Sequence, residues 1–184
     1  MRASFLVPAT LASFAVLALA LPAGAEQRPT HAAAHAPAPR AVGPKKIGTF
    51  DDWTAATNSE AGQTVCYAFT RAQSSAPVLP GRGDVVLTVT ERPGGRDAVA
   101  ISAGFTYAAS AAVAVQADAA SFEFYTNQRS AFSRDGHATV LAFQKAQKVV
   151  ARSPGPKNAP VSDSFSLKGF TAAYAAITKA CPAK

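Results

Sequence analysis

The sequence predicts a mainly β fold, an antiparallel β-sandwich or partly closed barrel with a short helix and a C-terminal helix. Three observations carry this expectation. Apolar and polar residues alternate with a period of two in short runs through the middle of the chain. Pairs of Gly, Pro and Asp punctuate those runs. The last run switches to helical spacing and stops at a proline.

The first alternating run is Thr64 to Arg71, with Val65, Tyr67 and Phe69 on one side and Cys66 and Ala68 on the other. Val85 to Arg92 follows, with Val86, Leu87 and Val89 as its apolar body, and then Asp97 to Ala103 and Ala112 to Gln116. Ser121 to Thr126 sets Phe122 and Phe124 on one face and Glu123 and Tyr125 opposite. Lys148 to Ser153 and Val161 to Leu167 complete the strands. Turns are marked by Pro80-Gly81, Pro93-Gly94-Gly95, Asp135-Gly136 and Pro154-Gly155-Pro156. Thr139 to Ala146 lacks turn residues and is rich in helix formers, so a short helix is expected there. After Gly169, Phe170, Ala173, Tyr174, Ile177 and Cys181 recur on one helical face, and Pro182 ends the helix. Short strands with this turn spacing pack as a sandwich or a barrel.

Residues ahead of this pattern read as an address. Arg2 precedes the uncharged stretch Ser4 to Leu21, and Ala23-Gly24-Ala25 supplies small residues for cleavage before Glu26. A signal peptide is therefore expected over residues 1–25, and the chain is expected in the periplasm or outside the cell. No later segment approaches the roughly 18 continuous apolar residues of a membrane span, so no transmembrane segment is expected after cleavage. Residues 26–45 are rich in Ala and Pro with scattered basic residues, the composition of a disordered linker. His31 and His35 stand four apart in it, but Pro29, Pro37 and Pro39 crowd them and no third ligand is evident. Residues 46–184 are one domain's worth of chain.

The net charge is +7, from 18 basic and 11 acidic residues. The cations are scattered, Lys45-Lys46 is the only adjacent pair among them, and no basic-aromatic stripe appears. Nucleic acid is therefore not the expected partner. Weak attraction to anionic envelope polymers or lipid fits an exported chain better, beside a charge that serves solubility alone.

Cys66 and Cys181 are the only cysteines. In an exported protein such a pair reads as a structural disulfide. It would close a loop of more than 100 residues, worth about 4–5 kcal/mol in the chain-entropy view. Free or intermolecular thiols are one rival. A Cys–His nucleophile is another, with His137 as the sole histidine in the domain and in an apparent turn.

Other constellations carry less. Arg82-Gly83-Asp84 is an adhesion-type tripeptide on an expected loop, and three-residue matches arise by chance. Asp51-Asp52 beside Trp53 could begin a sugar site, but no second spaced carboxylate set accompanies it. Ser–His–Asp catalysis would need His137 with Asp135 or Asp163, and no nucleophile-elbow motif supports it. Tyr67, Tyr107, Tyr125 and Tyr174 are expected as packing residues on strands and helix. No catalytic residue, cofactor or metal site is assigned.

The run Asp163 to Leu167, then Gly169 to Ala173, Ala176-Ile177 and Ala180-Cys181 resembles the C-terminal signature of the invasion-associated locus B family. Gly48 to Trp53 (GTFDDW), Val65 to Ala68, Arg92-Pro93 and Ala103 to Tyr107 resemble it in the same order, from about Lys46 to Cys181. Many members carry a cysteine just after the tryptophan, where this chain has Ala55 and Ala56. It is more similar to the branch with two cysteines only. Relatives there often have a Ser-Arg-Gly-Thr-like turn where this chain has Pro154 to Pro160. The resemblance implies an exported bacterial protein with a β-rich domain and a role in host-cell invasion. It brings no established biochemical activity.

The expected function is a non-enzymatic binding protein meeting an unknown host or envelope component. Its adaptable parts would be the loops Ala72 to Gly83 and Arg152 to Pro160. The alternatives are an envelope-stabilising structural protein without a host partner, and a hydrolase of envelope polymers.

Overall fold

A computed structural model describes residues 43–183. The expected signal peptide, His31, His35 and the Ala/Pro tract up to residue 42 lie outside the described residues. The strands are β1 (Lys45–Phe50), β2 (Trp53–Glu60), β3 (Gln63–Arg71), β4 (Ser74–Ala76), β5 (Val86–Arg92) and β6 (Gly95–Ser102). They continue with β7 (Ala112–Ala117), β8 (Ala120–Asn127), β9 (Ser130–Ser133), β10 (Lys148–Pro154) and β11 (Pro160–Ser166). Helix α1 spans Gly136–Phe143 and α2 spans Phe170–Ala180.

All eleven strands form one sheet in the order β1-β2-β3-β5-β6-β9-β8-β7-β10-β11-β4. Every pairing in it is antiparallel. β4 follows β3 after only Ala72 and Gln73. The Ala72 N–H donates to Val85 O at 2.9 Å and the Gln73 N–H to Ser164 O at 2.8 Å. Two consecutive residues thus bond to chain beside β5 and to β11, which stand far apart in the strand order. The sheet bends back on itself but is not closed, because chain rather than a ladder joins β3 to β4. Inward side chains from both halves form one core. This is the sandwich-like, partly wrapped β architecture expected, with its C-terminal helix.

The inward faces follow the two-residue period. On β3, Cys66, Ala68 and Thr70 are buried, while Tyr67 and Phe69 point outward and are half-buried. The bulkier alternating set is therefore the outer one. Small residues face inward because α2 lies against β2 and β3. Phe170, Ala173 and Ile177 of α2 are fully buried. The Phe170 ring sits 4.8 Å from Trp53 and 5.7 Å from Phe143. Trp53 is fully buried, and its indole N–H donates to Ser166 O at 3.0 Å.

Gly169 positions α2. Its φ is 86°, and a Cβ there would lie 2.0 Å from Phe50 O. Only glycine allows both the left-handed turn and that approach. Helix α1 begins three residues earlier than the spacing predicts. Asp135 caps it, accepting from the Ala138 N–H at 2.9 Å, so Asp135-Gly136 is a helix start as well as a turn.

The sequence pattern missed four strands. β1 (KKIGTF) is an edge strand whose lysines hide any alternation. β2 is built on Ala and Thr, because Ala55 and Ala56 must be small to bury. β4 and β9 are three and four residues long and serine-rich. Their pairing comes from long-range contacts, not from local propensity.

Candidate functional site

Cys66 and Cys181 are bonded, with their Cα atoms 5.9 Å apart across 115 residues of sequence. Strand β3 supplies the first and the end of α2 the second. No thiol remains for a Cys–His137 pair.

Directly opposite Cys66 on β5 stands Glu91, fully buried. The β5–β6 hairpin returns Arg96 and Asp97 to the same end of the sheet. Arg96 Nε lies 2.6 Å from Glu91 Oε2, and an Arg96 guanidinium N–H donates to Cys181 O. Asp97 accepts from the Tyr174 hydroxyl at 2.5 Å and lies 2.8 Å from His137 Nδ1. Burial pushes the Glu91 carboxyl up to about 7, with Asp97 adding to the rise and Arg96 opposing it. Burial also opposes charge on Asp97, but hydrogen bonds from Tyr174 and His137 outweigh it and hold that carboxyl below its ordinary range. Tyr174 is raised to about 12, by burial and by the Asp97 charge it bonds.

The cluster ties the β5–β6 hairpin to both helices beside the disulfide. It is not the Ser–His–Asp arrangement that the sequence suggested with Asp135 or Asp163. Asp135 caps α1 and Asp163 holds Arg82, so neither orients His137. No serine is bonded to the histidine among the described residues.

A pH test follows from Glu91. Its carboxyl is raised in the fold, so the native state holds a proton that the unfolded chain releases between about 4.5 and 7. This group therefore adds stability below that window and loses it as pH rises through about 7. Thermal unfolding at pH 5 and pH 8 should show a gain at pH 5 on the order of 2 kcal/mol, which Glu91→Gln removes. Equal pH slopes in the two proteins would contradict the assignment.

A second buried charge pair lies at the bend. Arg82 forms a bidentate bond to Asp163, at 2.8 and 2.7 Å, with side chains only 6% and 4% exposed. Arg82 Nε also donates to Ala103 O at 2.7 Å, and the Ser75 hydroxyl donates to Asp163 at 2.6 Å. The guanidinium lies over the Phe105 ring, 5.0 Å from its centroid. The Arg82-Gly83-Asp84 tripeptide therefore has its arginine inside the protein and cannot present it to an adhesion receptor. Tyr107 lies in the neighbouring loop, not on a strand, and burial raises its hydroxyl pKa.

Asp51 and Asp52 are exposed in the β1–β2 turn, and Asp51 pairs with Lys168 at 3.3 Å. Trp53 turns into the core, so the three do not form a sugar site.

The two segments expected to be adaptable meet at one place. A groove of about 520 Å³ is lined by Ala76, Ala112, Ala114, Glu123, Arg152, Pro154, Asn158 and Ser162 among others. Both segments are more ordered than expected: β4 occupies part of the first and the end of β10 part of the second. Residues 77–83 of the first remain irregular, and the second turns at Lys157 and Asn158, with φ of 57° and 63°. Successive left-handed non-glycine residues are uncommon and mark a turn held in place by its surroundings. On the groove floor, Arg152, Ala114 and Glu123 lie side by side on β10, β7 and β8. Ala112 neighbours Tyr125, which neighbours Phe132. In the sequence Arg152 stands in the expected strand Lys148 to Ser153 and begins the expected loop to Pro160, while nothing local marks the outward Ala112, Ala114 and Glu123 as a groove floor.

Among the described residues no cluster of His, Cys, Asp and Glu could hold a metal ion, and no helix is long and apolar enough to cross a membrane. The fold is similar to the crystal structure of invasion associated protein B from Bartonella henselae, with a TM-score of 0.53 and 18% identity. That likeness covers 72% of this chain and 95% of the other. No curated protein matches. Residues 53–178, more than half of the chain, match the family described as Invasion associated locus B (IalB) protein. The chain belongs to the invasion associated locus B family.

Proposed function

We propose that this is an exported binding protein, periplasmic or secreted, that contributes to host-cell or envelope interaction without catalysis. In this reading residues 1–25 are removed as a signal peptide, residues 26–45 are a linker, and residues 46–184 form the binding domain. No cofactor, metal or nucleic acid enters it. The supporting observation is that the clustered ionisable groups of the interior serve one another, whereas the groove between β4, β7, β8 and β10 gathers side chains with no such structural duty. Asp97, Asp163 and Arg82 are consumed by contacts that hold the hairpin, the helices and the bend together. The disulfide stabilises the domain that carries the groove.

The experiment is capture of partners from envelope fractions and host-surface extracts with the mature protein, Ala114→Trp and Leu141→Asn. Ala114 is exposed on the groove floor, so tryptophan fills the groove without entering the core. Leu141 is exposed on α1, outside the groove. A partner held by the native protein and by Leu141→Asn, but lost with Ala114→Trp, is the expected result. Indifference to Ala114→Trp contradicts the reading, as does turnover of an envelope substrate that a point mutation abolishes.

A further inference from the structure

We infer that the groove on the outer sheet face takes an acidic polysaccharide, a reading that rests on the groove being the binding site. Tyr125 is 42% exposed and stacks on Phe132, with ring centroids 5.5 Å apart. Such a pair offers a flat apolar face at the edge of the groove, where the C–H face of a sugar ring can lie. The Arg134 guanidinium already lies over the Tyr125 ring, 5.4 Å from its centroid, so a sugar meets the pair beside that guanidinium. Beside it, the outward positions of β7 are Ala112 and Ala114, which leave a trough between Tyr125 on β8 and Arg152 on β10.

Charge then selects the class of sugar. Arg152 lines the trough and Arg134 lies over Tyr125 beside it, against the single carboxylate of Glu123, and Lys157 immediately precedes Asn158 of the lining. Glu123 lies 4.0 Å from Arg134, and both are mostly exposed, so it neutralises little of that field. Arg152 bonds only the neutral Gln116 amide, at 3.2 Å, and makes no ion pair among the described residues. Guanidinium groups beside a stacking pair suit a ring that carries carboxylate, sulfate or phosphate. Asn158 and Ser162 add amide and hydroxyl groups that can bond ring hydroxyls. A single-stranded nucleic acid would instead use a series of stacking steps along a basic channel. The aromatic groups here are Phe122 in the groove lining and the Tyr125–Phe132 pair beside it, too few for such a series.

The test is direct titration of the mature protein with oligogalacturonate, neutral dextran oligomers and oligo(dT) of matched charge, by calorimetry at two salt concentrations. The proteins are native, Tyr125→Ala, Arg152→Gln and Arg71→Gln. The last removes an exposed cation of β3 that already pairs with Asp84. Oligogalacturonate should bind, and Tyr125→Ala and Arg152→Gln should each weaken it about tenfold, while Arg71→Gln should not. Dextran should not bind. The inference is overturned if oligogalacturonate fails to bind, if Tyr125→Ala leaves its affinity unchanged, or if oligo(dT) binds as tightly with the same dependence on the variants. A partner captured in an Ala114→Trp-sensitive way, with no binding of oligogalacturonate, would retain the groove and remove the sugar. Capture indifferent to Ala114→Trp would remove the groove itself.

Discussion

Replacing Cys66 and Cys181 together by alanine should lower the unfolding free energy by about 4–5 kcal/mol, the largest loss expected from any change in this protein. The bridge spans 115 residues, so the unfolded chain regains nearly the full freedom of the domain when it is absent. That loss is comparable with the entire stability of a marginal domain, about 5–15 kcal/mol. It should appear as a drop in melting temperature on the order of 10 °C or more. The effect should concentrate at α2. Without the bridge the helix is held by Phe170, Ala173 and Ile177 against β2 and β3, and by the Tyr174–Asp97 bond. Denaturant unfolding of oxidised native protein and the double variant gives the number, and amide exchange gives its location. A loss below about 1 kcal/mol would mean that the folded state or the unfolded chain is not constrained as described.

The second large effect concerns Asp163. Asp163→Ala should cost about 3–5 kcal/mol, because it leaves the Arg82 guanidinium charged and buried with no carboxylate. Converting both residues, as Arg82→Met with Asp163→Leu, should recover most of that loss, since no lone charge then remains inside. Asp84→Ala, in the same tripeptide as Arg82, should change stability by under about 1 kcal/mol, because its bond to Arg71 is exposed. Chemical denaturation of the three variants separates these cases. A double variant as unstable as Asp163→Ala would show that the pair supplies something beyond mutual neutralisation.

The parts of this protein legible in its sequence are those where local chemistry and tertiary structure agree. The alternation in Thr64 to Arg71 and the helical stripe from Phe170 to Cys181 are such cases. The alternation marks a strand, and the stripe marks both a helix and the side of it that must be covered. What stayed hidden depends on partners distant in sequence. Asp163 reads as one polar residue in a strand, yet Arg82, 81 residues away, defines its role. Glu91 and Asp97 flank a plain Pro-Gly-Gly turn, and only folding brings His137 and Tyr174 onto Asp97. The outward direction of Tyr67 and Phe69 was equally hidden, because alternation names two faces without saying which meets the core. The groove was half visible. Its segments were identifiable from Pro154 to Pro160 and Ala72 to Gly83, while its floor of Ala112 and Ala114 looks like any alanine-rich strand.

Both the fold and the exported reading stand on oxidation of the β3–α2 link, since that bond persists only in an oxidising compartment. The direct measurement is the thiol content of the protein taken from its own producing cells, alkylated at lysis and then denatured without reductant. A value near zero per monomer is predicted. A value near two would contradict both the covalent closure of the domain and its assignment outside the cytoplasm.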